Sequence, residues 1–92
     1  MRALCGRVDT RLAKDPALRA RFPEARAANG GRSEDSIEFV TDRLGHDRRY
    51  AIDGSRAAKE LGYRAGRDLD RGLDETVEWY LANEDWWRPL VK

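Results

Sequence analysis

Phe39-Val40-Thr41-Asp42-Arg43-Leu44-Gly45-His46-Asp47-Arg48-Arg49-Tyr50-Ala51-Ile52-Asp53 is the stretch on which the reading of this chain turns. Ile37 to Val40 has the β-branched and aromatic content of a strand, and Tyr50-Ala51-Ile52 is a second short extended piece. Between them Thr41 to Tyr50 is dense in charge and holds Gly45, which marks a loop. Asp53 then stands where an N-cap belongs, its carboxylate accepting from the free amides of a helix over 54–61. Gly62 ends that helix in the left-handed conformation open to glycine.

Downstream, Asp68 is the next N-cap candidate, and Asp70 adds negative charge to the same helix start. Leu69, Leu73, Val77 and Leu81 make an apolar stripe at a spacing of four, widened by Thr76 and Tyr80, so a helix runs from 69 to about 83. Trp86, Trp87, Pro89 and Leu90 form an apolar tail, and the three tryptophans, Trp79 included, read as packing residues. Upstream, Leu4, Val8 and Leu12 place a short amphipathic helix over 2–13. It opens on its first residue with no Ser, Thr, Asp or Asn before it, an expectation of truncation. Residues 14–36 read as a long polar connection, with Pro16, Pro23, the turn signal Asn29-Gly30-Gly31 and a brief helical turn near 17–22.

The whole is 92 residues, enough for one small domain, with 40% hydrophobic and 38% charged residues. Its eight large aromatics are core material, which excludes a disordered composition. No run approaches the roughly 18 apolar residues of a membrane span, and the first nine residues carry no secretory signal pattern. Cys5 is alone and His46 is alone, too few for a disulfide or a structural zinc site, so the expected compartment is the cytoplasm and no metal is expected. Net charge is +1 but uneven: residues 1–33 hold eight cations against three anions, and 34–92 ten against fourteen. Fifteen of the eighteen cations are Arg, and they are not interleaved with aromatics as a nucleic-acid stacking platform requires, which disfavours nucleic acid as partner.

Catalytic patterns are absent from the sequence. No glycine-rich dinucleotide turn follows a strand. No Tyr is followed four positions on by Lys: Tyr50 leads to Gly54, Tyr63 to Arg67 and Tyr80 to Glu84. No catalytic residue is assigned.

The Phe39–Asp53 stretch closely resembles a signature of the dTDP-glucose 4,6-dehydratases, F-V-x-D-R-P-G-H-D-x-R-Y-A-I-D. The resemblance continues through Lys59-Glu60-Leu61-Gly62-Tyr63, Thr76-Val77-Glu78-Trp79-Tyr80-Leu81-Ala82-Asn83 and Trp86-Trp87, so that it is strong over residues 37–92 and weak before. What this resemblance implies is the C-terminal portion of an extended short-chain dehydrogenase. The fold class expected is α/β: a small mixed substrate-binding subdomain over residues 1–92, mostly helical with one or two short strands, lacking the Rossmann domain. In the family an NAD-bound Rossmann domain oxidises a nucleotide sugar at carbon 4, eliminates water across carbons 5 and 6, and returns the hydride to carbon 6. The NAD turn and the Tyr/Lys pair belong to that missing domain. The chain alone is therefore expected to bind no cofactor and to be inactive.

The resemblance places the family's substrate contacts on Asp42, Arg43, Leu44, Gly45 and His46. The chemistry is apt. Arg43 offers a planar fork to a diphosphate, Asp42 braces it, and His46 donates to the ligand or orients the loop. Arg48 and Arg49 are expected to pair with Asp42, Asp47 or Asp53 and hold the loop. Leu44 stands where the family usually has proline, which leaves the loop freer.

The partners expected are a nucleotide sugar of the dTDP-glucose type, the parent Rossmann domain, no membrane, and a second copy of the chain through an exposed apolar face. Three alternatives stay open: the C-terminal part of another nucleotide-sugar epimerase or decarboxylase, a stand-alone interaction module with a basic N-terminal half, and a purely structural domain.

Overall fold

The computed structural model describes residues 1–91. Five α-helices follow one another: α1 (Arg2–Lys14), α2 (Pro16–Arg21), α3 (Ser55–Leu61), α4 (Leu69–Ala82) and α5 (Glu84–Trp87). Short 3-10 turns occupy Arg26–Asn29, Ser33–Ser36 and Arg88–Leu90.

The core lies where α1, α2 and α4 meet. Leu12, Leu18 and Val77 are buried, one from each helix. Local chemistry sets the geometry of the α1–α2 corner. Asp15 ends α1 in extended backbone and caps α2, its Oδ1 accepting from the amides of Ala17 (2.9 Å) and Leu18 (3.4 Å). Pro16 at the first helical position has no amide to satisfy. The Arg19 guanidinium donates to the carbonyls of Leu12 (2.7 Å) and Ala13 (2.9 Å), which the end of α1 leaves without helical partners. The polar connection expected over 14–36 is thus a helix and two 3-10 turns folded beneath α1. Asp9 of α1 receives the Ser33 amide at 3.1 Å and seats the second turn.

Ion pairs clamp α1 and α2 to the C-terminal helices. Arg7 Nη2 meets Asp70 Oδ1 and Arg7 Nε meets Asp74 Oδ1, each at 2.6 Å. Arg11 Nε lies 2.7 Å from Glu78. Arg21 reaches Glu84 at 2.7 Å and donates to the Leu81 carbonyl at 3.0 Å. The basic N-terminal half therefore faces the acidic side of α4 and α5, and the uneven charge is matched within the chain.

α4 forms as expected, with Asp68 Oδ1 accepting from the Arg71 amide at 2.8 Å. Of its stripe, Val77 is buried and Leu73 and Leu81 are half-buried, while Leu69 stays exposed. In the apolar tail Trp87 stacks on Phe22, ring centroids 6.4 Å apart, and its Nε1 donates to the Tyr80 carbonyl at 2.7 Å. Trp79 and Trp86 pack edge to face at 5.3 Å yet remain exposed.

The expected strands are absent: among the described residues there is no β-structure, and the small domain is helical rather than mixed. The reason is pairing. A strand needs a neighbouring edge for its amides and carbonyls, and neither Ile37–Val40 nor Tyr50–Ile52 has one. Phe39 is 96% exposed and Ile52 93%. From Glu38 to Asp68 every side chain but Ala57 is exposed, and α3 packs against no other element. This arm gives a radius of gyration of 17.4 Å, against about 12 Å for a compact domain of this length. α3 itself differs by one position from expectation. It starts at Ser55 with Gly54 at the cap, and Asp53 accepts the Ser55 amide at 3.0 Å from just outside. Gly62 closes the helix at φ 65°, as its residue type requires.

Candidate functional site

The arm carries the residues singled out in the sequence. Asp42 Oδ1 accepts from the Arg43 backbone amide at 2.9 Å, which fixes the entry to the loop. Arg43 to His46 then makes a tight turn, closed by a 3.4 Å hydrogen bond from the His46 amide to the Arg43 carbonyl. Gly45 sits at its third position with φ 74°. A turn with positive φ there is of the type II class, and glycine meets that requirement without strain. The same class favours proline at the second position, where this chain has Leu44. Leu44 is fully exposed and shapes the turn only through its backbone.

The turn folds the Arg43 side chain back so that its Nε donates to His46 Nδ1 at 3.0 Å. Asp42 Oδ1 lies 3.9 Å from the same nitrogen. Asp42, Arg43 and His46 therefore converge, with Leu44 and Gly45 as the hairpin between them. Among the described residues nothing engages the two terminal amino groups of Arg43. They form a free planar fork in solvent, suited to two oxygens of a phosphate group. Asp42 braces the loop through the backbone rather than through the guanidinium.

Arg48 and Arg49 do not do what their neighbours suggested. Neither forms an ion pair among the described residues, and the carboxylates expected to hold them are engaged elsewhere. Asp47 receives the Tyr50 hydroxyl, a hydrogen bond that raises the Tyr50 pKa because the phenol's proton is held by an anion. Asp53 receives the Ser55 amide, which lowers its pKa. Tyr50 was missed as a partner; the three-residue spacing from Asp47 was the available signal.

The rest of the molecule offers weaker candidates. A groove of about 410 Å³ between α1 and α4 is lined by Arg7, Arg11, Lys14, Asp74 and Glu78, but both of its arginines are already paired with carboxylates of α4. Among the described residues no three His, Cys, Asp or Glu side chains gather to hold a metal ion, and no helix is long and apolar enough to cross a membrane. A dinucleotide does not fit these residues. Its diphosphate is held at a glycine-rich turn between a strand and a helix, and no such unit occurs among them.

The chain is 53% identical over 58 residues to the dTDP-glucose 4,6-dehydratase of Streptomyces antibioticus, covering 63% of this chain and 17% of that enzyme. It is 61% identical over 51 residues to that of an Actinoplanes species, covering 55% and 16%. With that of Neisseria meningitidis serogroup B the identity is 42% over 75 residues, covering 82% and 21%. The chain spans about a fifth or less of the length of these curated relatives. The match is to their C-terminal portion. No family model matches the chain, and no solved structure does.

Proposed function

We propose that this chain, related in sequence to the C-terminal portion of the dTDP-glucose 4,6-dehydratases, is the part of such an enzyme that grips the diphosphate of the nucleotide sugar. The observation that carries the reading is the turn Arg43–His46, which holds the Arg43 guanidinium by one nitrogen and leaves its terminal fork free. A nucleoside diphosphate sugar presents paired anionic oxygens, and a guanidinium fork is the side chain best matched to them. Leu44 and Gly45 supply the turn, Asp42 fixes its start, and His46 fixes the arginine.

The reaction is proposed for the whole enzyme: NAD on a Rossmann domain, dTDP-glucose as substrate, the 4-keto-6-deoxy sugar as product, in the cytoplasm. This chain contributes binding and leaves catalysis to that partner domain. The exposed arm supports such a partner, because Phe39, Val40, Leu44 and Ile52 are apolar side chains with nothing packed on them. A second copy of the chain is the competing occupant of the same surface.

A chimera tests the reading. This chain's matching stretch replaces the corresponding 58 residues of the Streptomyces antibioticus enzyme, and turnover of dTDP-glucose is assayed. Retained turnover that is lost on Arg43→Ala supports the proposal; a chimera that folds, binds NAD and ignores Arg43→Ala refutes it.

A further inference from the structure

We infer that His46 is a positioning residue: its unprotonated Nδ1 accepts the Nε–H of Arg43 and so aims the arginine's terminal fork at the ligand. The inference rests on the diphosphate-binding role proposed above. Its basis is the 3.0 Å contact between Arg43 Nε and His46 Nδ1. Arg43 has no acceptor of its own, so the imidazole nitrogen has to be the acceptor and must carry no proton. Neutral His46 is therefore the tautomer with its hydrogen on Nε2.

Geometry gives this contact its consequence. A guanidinium can present either its Nε side or its two terminal amino groups to an anion. With Nε engaged by His46, only the end-on fork remains. The turn makes the pairing local, since Gly45 at φ 74° brings residues three apart onto one side of the loop. A proton on Nδ1 would abolish the acceptor and set two cations face to face. Asp42 Oδ1 lies 3.9 Å from the same Nδ1. Asp42 and Arg43 are the charged groups facing His46, and among the described residues no hydrogen bond or ion pair reaches it from a helix.

The experiment uses the 92-residue chain, inorganic pyrophosphate and nitrogen-15 NMR of the imidazole and guanidinium groups. The uncharged imidazole of His46 is expected as the Nε2–H tautomer, with the Arg43 Nε–H signal shifting on His46 substitution. His46→Ala is expected to weaken pyrophosphate binding about 5- to 10-fold, the worth of one net hydrogen bond. His46→Asn, whose amide oxygen falls near the Nδ1 position, is expected to restore affinity to within roughly twofold. Among the described residues no hydrogen bond or ion pair joins the 43–46 turn to a helix, so these variants leave the helical core unaffected. A dominant Nδ1–H tautomer overturns the inference. So does full affinity in His46→Ala when Arg43→Ala has lost it, a result that spares the proposed function. Unchanged pyrophosphate binding in Arg43→Ala overturns both.

Discussion

Arg7 of α1 lies 2.6 Å from Asp74 of α4, a contact between residues 67 positions apart that joins the two ends of the folded body. Asp70 holds the other edge of the same guanidinium. These acidic neighbours raise the Arg7 pKa, the Asp70 hydrogen bond contributing most, so the cation is fixed at every accessible pH. Replacing Arg7 by Met keeps much of the side-chain volume and removes the clamp. A lower melting temperature is expected, along with a weaker dependence of melting on salt than in the parent. Circular dichroism melts at two ionic strengths measure both. Identical salt dependence would mean that the clamp does nothing in solution.

Leu12 is the most deeply buried side chain, 1% exposed at the centre of the three-helix contact. Leu12→Ala should cost about 2–5 kcal/mol, the usual range for a buried leucine. A body this small has little stability to lose. Largely lost helical signal at 25 °C is the expected outcome, whereas Leu44→Ala on the arm should leave the spectrum unchanged.

Acid should loosen the C-terminal helices. Glu84 has its pKa lowered from 4.5, chiefly by the Arg21 hydrogen bond and further by Arg88; Glu75 is lowered by Arg71 and then Arg67. With depressed folded-state values, the unfolded chain binds more protons around the ordinary value of 4.5. Their stabilisation is therefore complete above that pH and is lost as pH falls through the lower folded-state values. Glu84→Gln should flatten the acid limb of a melting-temperature profile and leave the region near neutrality with the smaller pH slope of the parent.

The arm should be the first part to be cut. Arg43, Arg48, Arg49, Arg56 and Arg64 lie in exposed chain, whereas Arg7 and Arg19 sit in packed helices. Brief trypsin treatment followed by mass spectrometry is expected to show cleavage within 43–64 before any within 1–36. Early cleavage inside α1 or α2 would contradict the division into body and arm.

The helices were legible where their signals are local. Asp68 with the 69–81 stripe gives α4, and Gly62 ends α3 where a left-handed residue is required. Asp15 followed by Pro16 was an equally local signal for α2, and only the helical turn was read from it. The strands failed because β-branched content reports fitness for a sheet, while a strand also needs an edge supplied from elsewhere. The pairing of basic α1 with acidic α4 was invisible for a related reason: charge counts by segment say nothing about which segments meet. At the candidate site, the residue types around Arg43 were readable, but the return of its Nε to His46 depends on the turn that Gly45 permits. Arg48 and Arg49 were misread because Asp47 and Asp53 found nearer donors in Tyr50 and Ser55.

The chain by itself is expected to show no dehydratase turnover with NAD and dTDP-glucose, judged by the 4-keto product against a protein-free control. The described residues lack the unit that holds a dinucleotide. Measurable turnover would place the chemistry on residues that have been given only a binding role.

The most direct test of the central claim is a calorimetric titration of dTDP into the chimeric dehydratase carrying this chain's matching stretch, with and without Arg43→Ala. Hydrogen bonds to charged groups contribute roughly 1.5–3 kcal/mol, so the substitution should weaken affinity about 10- to 150-fold while the melting temperature stays put. Unchanged dTDP affinity in a folded Arg43→Ala chimera would contradict the account and move the diphosphate contact away from the Asp42–His46 turn.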